Sequence, residues 1–311
     1  KPNKSMSAYT LKQIKTFQKV ATLQSISKAA NALFVTQPAV TQQIKQLEEA
    51  FGQALIEPFG RTVQLTESGK IFLKLSETLL TNLADLEETM NNLVNKEKGH
   101  IRLGIVSTTK YFAPMLMMEF KKIYPAIIFD LKVANREEMI NLLRNNLVDL
   151  VIMGRPPNKV EYDAIPFITN PLGIICGEKY KLKNKARYCL EDLKNEKFIA
   201  REQGSGTRLL MEKIFLEKGI QPEIFMSIAS NETIKQSVMA NMGLAFISLR
   251  TVSRELANGM LKLLYVEGLP HIGHWYVMHR AEKKLSPSTV AFKNFMIEKA
   301  ESLINQYNDR L

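Results

Sequence analysis

Three sets of side chains in this 311-residue chain have the types and spacing to do chemistry. The first is Thr36, Gln37, Thr41, Gln42 and Lys45, hydroxyls, carboxamides and an ammonium at helical spacing. Such groups reach base edges and phosphates in a DNA major groove. The second is Arg136, Arg155, Arg201 and Arg208, set among hydroxyls and glycines, a composition suited to a small anion. The third would be a catalytic set, and none is expected. His100, His271, His274 and His279 show no HExxH or paired metal spacing. Ser205 lies in Gly204-Ser205-Gly206, not in a Gly-x-Ser-x-Gly elbow. Cys176 and Cys189 fit neither a disulfide framework nor a zinc site, and they suit a reducing cytoplasm. An enzyme, a bound metal and a cofactor are therefore not expected.

The elements that must hold the first set are short helices. Apolar residues recur at helical spacing through Leu11, Ile14, Phe17 and Val20, then Ala29, Ala30 and Leu33, then Val40, Ile44 and Leu47. The breaks between them leave room only for tight turns. Ser27 is expected to cap the middle helix and Thr36 the next one, with Pro38 in its first turn, where a missing N–H is tolerated. Residues 55–66 read as a hairpin with Gly60 in its turn and Arg61 projecting from the tip, a wing against a minor groove or phosphates. The net charge is +11, of which +5 falls on residues 1–65, eight Lys and Arg against three Glu. A helical domain with a solvated basic face is the bland alternative. The two-helix spacing and the basic wing favour double-stranded DNA.

Residues 66–93 contain no proline, and their only glycine, Gly69, is near the start. Phe72, Leu75, Leu79, Leu83, Leu86, Met90 and Leu93 form one stripe along a long helix. Pairing with a second copy is its expected use, and packing on the chain's own body is the alternative. From residue 99 short strands alternate with helices: strands at 101–106, 127–133, 148–153, 172–176, 198–201, 245–248 and 275–279, helices at 137–146, 208–218 and 234–242. The alternation predicts an α/β body with an open parallel sheet covered on both faces.

Ligands of open α/β sheets bind beyond the carboxyl ends of the strands. The groups there are Ser107, Thr108 and Thr109, then Asn135 and Arg136, then Gly154 and Arg155. Farther along come Arg201, Gln203, Ser205, Thr207 and Arg208 around Gly204 and Gly206, then Asn231 at a helix start and Ser248 at a strand end. Taken alone, the Gly204–Gly206 loop reads equally well as an ordinary helix-capping turn. His271 and His274 read as surface or structural positions, and Trp275-Tyr276-Val277 as sheet core.

The head resembles that of LysR-type transcriptional regulators. The matching residues are Ala29-Ala30, Thr36-Gln-Pro-Ala-Val-Thr41, Ile44-Lys-Gln-Leu-Glu48 and Leu65-Thr-Glu-Ser-Gly69. The resemblance runs from Leu11 to about Ile297. It departs at the start of the wing, where Leu55-Ile56-Glu57-Pro58 replaces the family's Leu-Phe-x-Arg, and at Thr62, where a second Arg is common. In the body, Ala134-Asn-Arg-Glu-Glu138, Val148-Asp-Leu-Val-Ile-Met-Gly-Arg-Pro-Pro157, Arg201–Arg208, Ser230-Asn-Glu-Thr-Ile-Lys-Gln236, Gly243-Leu-Ala-Phe-Ile-Ser248 and Val266-Glu-Gly-Leu-Pro270 are similar to the Cbb-type subgroup, which regulates carbon-fixation (RuBisCO) operons.

The resemblance implies a winged helix-turn-helix over residues 7–65, a dimerising linker helix over 66–98, and an effector domain over 99–311. That domain would have two lobes like those of a periplasmic binding protein, lobe I at about 99–170 and 276–311, lobe II at about 171–275. The DNA-facing set would be Ser27, Thr36, Gln37, Pro38, Ala39, Thr41, Gln42, Lys45 and Arg61. Implied partners are promoter DNA, a small anionic or phosphorylated metabolite between the lobes, further copies in a homodimer or homotetramer, and RNA polymerase. No run is apolar enough for a membrane span. A solute-binding protein sharing the body, and a regulator that senses no ligand, are the rival readings.

Overall fold

The computed structural model describes residues 9–60, 62–91, 98–156, 161–183 and 185–308. Its contacts separate a unit ending at Met90 from one beginning at Asn91.

In the first unit, α1 (Leu11–Leu23), α2 (Ile26–Ala32) and α3 (Gln37–Phe51) bury the apolar positions that set their period: Ile14, Phe17, Val20, Ala29, Ala30, Val40, Ile44 and Leu47. Thr10 and Gln13 close a reciprocal capping box on α1. The cap of α2 is Ser25, whose hydroxyl accepts from the Lys28 N–H, so the expected Ser27 stands exposed in the first turn instead. Thr36 occupies the N-cap position of α3 but makes no side-chain cap bond. The start of that helix rests on Pro38, and the Thr36 hydroxyl remains outside. Two side-chain bonds tie α1 to α3: Gln13 Nε2 donates to Gln46 at 2.8 Å, and the Thr16 hydroxyl donates to Gln43 at 2.7 Å.

The wing is an antiparallel hairpin of β1 (Ile56–Phe59) and β2 (Thr62–Leu65), with Phe59 opposite Thr62 across a two-residue turn. Gly60 takes φ +59° in that turn, and Arg61 lies outside the described residues. The chain then enters α4 (Glu67–Asn91). Thr66 joins the two: its Oγ1 donates to the Ala54 carbonyl at 2.7 Å and accepts from the Gly69 N–H at 2.9 Å. Gly69 presses so close to the wing that a Cβ there would sit 1.9 Å from the Leu55 carbonyl oxygen.

Helix α4 has two apolar faces. Phe72, Leu73 and Leu80 pack on the head core, with Phe72 edge-on to Phe17 and Phe51 at 5.1 and 5.0 Å. Phe72, expected in the pairing stripe, therefore belongs to the head. Leu75, Leu79, Leu86 and Met90 remain exposed and Leu83 half-buried; Leu93 lies outside the described residues.

The second unit is built on a seven-stranded sheet in the order β10 (Leu261–Leu263), β6 (Tyr162–Gly177), β11 (His271–Arg280), β5 (Leu150–Met153), β3 (Gly99–Val106), β4 (Ile127–Ala134), with β9 (Ala245–Ser248) also on β6. A two-stranded parallel pair, β7 (Lys197–Arg201) and β8 (Glu223–Ile228), lies beside β9 through a Phe198–Leu244 bridge. The sheet is mixed, not parallel throughout as the alternation predicts. β4, β3 and β5 are parallel, whereas β6 and β11 run antiparallel to each other over ten register pairs, and β11 is antiparallel to β5. The 16-residue β6 hides in the sequence because only its second half is a continuous apolar run.

These two strands cross between two lobes. In the first, α5 (Ala113–Ile123) and α10 (Pro287–Asn308) cover one face with Leu116, Phe120, Phe292 and Met296, and α6 (Arg136–Arg144) covers the other with Met139 and Leu143. In the second, α7 (Gly206–Glu217) supplies Met211 and Phe215 to one face, and α8 (Asn231–Met239) supplies Ile234 and Val238 to the other.

Candidate functional site

On the head, Thr36, Gln37, Pro38, Thr41, Gln42 and Lys45 stand together on the exposed side of α3, with Ala39 half-buried among them. The side chains opposite, Val40, Ile44 and Leu47, fill the core, so packing fixes which face is presented. Lys45 lies 3.9 Å from Glu49, with both groups largely in water, a pairing too weak to hold it back from another anion. Glu48 aligns the wing: its Oε1 accepts from the Leu55 N–H at 2.7 Å and the Ile56 N–H at 3.2 Å.

In the second unit a cleft of about 520 Å³ opens between the lobes. Ser107 and Thr108 after β3, Asn135 and Arg136 at the start of α6, and Gly154 and Arg155 after β5 line one wall. Arg201, Ser205, Gly206, Thr207 and Lys213 line the other, and Asn170 and residues 271–276 of the crossing strands form the floor. Among the described residues four cationic side chains, Arg136, Arg155, Arg201 and Lys213, border the cleft, and no carboxylate lines it. The starts of α6 and α7 both face it; the Glu137 and Glu138 N–H groups of α6 already donate to the Gly204 carbonyl and to Asn135 Oδ1, and the start of α7 brings first-turn N–H groups that have no intrahelical acceptor. The Ser107 Oγ is buried without a hydrogen-bond partner, which leaves a donor and acceptor at the cleft wall for a ligand or water to satisfy.

Each arginine does something different. Arg136 donates from Nη2 to the Arg155 carbonyl at 2.9 Å, and burial holds its pKa below the ordinary guanidinium value. It stays charged, since guanidinium does not deprotonate in proteins. Arg155 is exposed at the mouth. Arg201 is 3% exposed and already gripped: Nε and Nη2 donate to the two Glu202 oxygens at 2.7 and 2.8 Å, and Nη1 donates to Asn231 at 3.0 Å. Arg208 does not line the cleft: its Nε donates to Glu212 at 2.5 Å and its Nη1 to the Arg201 carbonyl at 3.5 Å, so it ties α7 to the end of β7.

Thr109, Gln203, Arg208, Asn231 and Ser248 are the expected effector residues that do not line the cleft. Thr109 is fully buried and returns its hydroxyl to the Val106 carbonyl. Gln203 points to solvent. Asn231 stands behind Arg201, and Ser248 donates to Asn170 at 2.6 Å beneath the floor. Conversely, Asn170, Lys213, His271, His274 and Tyr276 line it without having been expected there. The register of β6 against β11 decides that placement, and no local motif announces it.

The Gly204–Gly206 loop is a junction between lobes. Gly204 adopts φ +81°, and its carbonyl accepts from the Glu137 N–H at 3.3 Å. A Cβ at Gly206 would stand 3.2 Å from Arg136 Cδ. A second contact joins Tyr111 of the first lobe to Lys235 of the second, 5.4 Å over the ring, where Lys235 also meets Glu255 at 2.7 Å and Glu232 at 2.8 Å. Burial pushes the Tyr111 hydroxyl pKa up, against the pull of that lysine.

Residues 11–70 match the family described as "Bacterial regulatory helix-turn-helix protein, lysR family", and residues 95–301 match the "LysR substrate binding domain". The HTH-type transcriptional regulator CbbR of Rhodospirillum rubrum is 42% identical over 92% of this chain and 95% of its own. The HTH-type transcriptional activator CmpR of Synechocystis is 39% identical over 94% of this chain and 97% of its own. Among solved structures, the Synechocystis CcmR regulatory domain in complex with 2-PG is 36% identical, with a TM-score of 0.61 over 64% of this chain and 96% of that one. Full-length CbnR complexed with its target DNA shares the fold over 94% of this chain and 99% of that one, at a TM-score of 0.70 and 19% identity.

Proposed function

Because this chain belongs to the LysR family of DNA-binding transcriptional regulators, we propose that it regulates carbon-fixation genes in the cytoplasm under the control of a small phosphorylated metabolite held between its lobes. The observation that carries the effector class is the cleft itself, bordered by Arg136, Arg155, Arg201 and Lys213 and, among the described residues, lined by no carboxylate and holding a Ser107 hydroxyl without a partner. A phosphate with two or three negative oxygens matches that lining, and so does a carboxylate at the other end of the same small molecule. The complex of the CcmR domain with 2-PG supports the same class. No cofactor enters this reading.

The exposed face of α3 enters the major groove, with Gln37, Thr41 and Gln42 on base edges and Lys45 on phosphate. Two copies pair through the exposed stripe of α4, as a dimer or within a tetramer. An effector bound beside the Gly204–Gly206 loop, which already meets α6, changes the balance between lobe arrangements and with it the balance between arrangements of the paired heads.

Calorimetry of the full chain with 2-phosphoglycolate tests the cleft. Saturable binding that Arg136→Ala weakens by roughly tenfold or more is expected, from the loss of a charge-assisted contact. Unchanged affinity in Arg136→Ala would place the ligand elsewhere. Gel shifts on the chain's own upstream region, repeated across salt concentrations, test the head: affinity falls steeply as salt rises if phosphates are neutralised.

A further inference from the structure

Phe34 sits in the turn between α2 and α3, two residues before Thr36, and is 95% exposed. Its neighbour Val35 packs on the head core, while Phe34 joins none of the apolar clusters among the described residues. Its backbone stands at φ +55°, in the left-handed region that Gly or Asn occupies without strain and Phe does not. Backbone bonds close the turn, Phe34 N–H to the Asn31 carbonyl at 3.2 Å and Val35 N–H to the Ala30 carbonyl at 3.0 Å. Among the described residues the aromatic ring thus has no packing partner in an apolar cluster, and a turn-forming residue would hold the same backbone at lower energy.

What the position does offer is nearness in the chain. Phe34 stands two residues before Thr36, the N-cap of α3, where the exposed Thr36, Gln37, Pro38 and Thr41 begin. In a helix-turn-helix the residues at the start of the second helix are those brought to the base edges. The one apolar group a base pair presents in the major groove is the thymine C5-methyl. We propose that Phe34 is a specificity-determining residue that covers a thymine methyl at the edge of the DNA segment contacted by α3. The inference rests on the proposed docking of α3 in the major groove.

The test uses the full chain and its own upstream fragment, prepared once with dTTP and once with dUTP, so that every thymine methyl is present or absent. Phe34→Ala should bind the thymine fragment roughly tenfold more weakly than the parent, the loss expected when a large apolar contact is removed. On the uracil fragment parent and variant should differ by less than about twofold, because the methyl that the ring covers is gone. Phe34→Asn relieves the backbone, so it should melt at the same temperature as the parent or higher and still lose the thymine preference. The slope of affinity against salt should not change, since no phosphate contact is removed. Phe34→Ala and Phe34→Asn binding thymine DNA as the parent does, while Gln37→Ala loses binding, would overturn this inference alone. Equal losses on both fragments would also overturn it. Loss in none of the three variants would overturn the docking of α3 itself. A change in the sedimentation of free Phe34→Ala would assign the ring to a protein interface and refute the DNA contact.

Discussion

Replacing Gly69 by Ala sets two opposing effects against each other, and the structure decides which wins. Helix propensity favours alanine inside α4 by roughly 0.5–1 kcal/mol. Against that, the new Cβ would lie 1.9 Å from the Leu55 carbonyl oxygen and 2.9 Å from its carbon, both backbone atoms, where 3.4 Å is ordinary contact. Neither side can yield cheaply. The same carbonyl accepts the Thr66 N–H at 3.1 Å, the Leu55 N–H is held by Glu48, and the Leu55 side chain is buried in the head core. Relieving the clash means moving the start of α4 or the start of the wing by more than an ångström, at about 3 kcal/mol for a badly overpacked site. The net loss is about 2 kcal/mol, which for a unit of this size lowers the melting temperature by roughly 8–16 °C. Calorimetry of Gly69→Ala beside Lys74→Ala, an exposed position on the same helix, measures it. A Gly69→Ala protein that melts at or above the parent would mean propensity prevails, and the contact between α4 and the wing is then loose.

Three further outcomes follow from other contacts. Glu48→Ala leaves two wing N–H groups without their carboxylate and should destabilise the head by about 2 kcal/mol, while DNA affinity falls more than stability alone explains; melting and anisotropy titrations compared in one buffer check it. Leu79→Asp places a charge in the exposed α4 stripe and should shift the chain toward monomer in sedimentation, with little change in head melting. Asp149 is largely buried; burial opposes its charge, but the hydrogen bond from Arg102 and the charge of Lys283 hold its pKa below the usual value. Its contribution is therefore present above an unfolded pKa of about 4 and disappears as pH falls through the lower folded value. Asp149→Asn should cost about 3 kcal/mol at neutral pH and flatten the acid limb of the stability curve, as seen in urea titrations at several pH values.

How much of this was legible beforehand depends on whether a feature is local. The head helices announce themselves because their apolar period is unbroken and each must bury one face. Ser25, not Ser27, caps α2 because the helix begins at Ile26, two residues before the start that a Ser27 cap implies, and hydroxyls two residues apart compete for the role. The stripe on α4 reads as one surface, yet Phe72 faces inward, because the side of the helix that carries Phe72, Leu73 and Leu80 lies against the head while the side that carries Leu75, Leu79 and Leu86 is free of it. In the body, strand ends gave Ser107, Asn135, Arg136 and Arg155 their places, since ligand sites follow the carboxyl ends of strands. The same reasoning placed Arg208 at the cleft, but its guanidinium is taken by Glu212 four residues on. The floor was not legible: β6 and β11 meet across about a hundred residues of chain, and only their register brings Asn170 beside Gly273 and His274 beside Thr169.

The crossing strands also set an order of events at the ribosome. The first lobe begins with β3 yet takes β11 and α10 from the far end of the chain, and Phe292, Met296 and Ile304 seal its core last. All of the second lobe emerges in between. A nascent chain thus carries a finished DNA-binding head and then a second lobe, while the first lobe waits open with apolar strands unsealed. A product broken off before Pro287 would keep the head but lack the seal. Closure of the first lobe therefore follows the head and the second lobe in chain order, and a break before Pro287 removes it while leaving both of them.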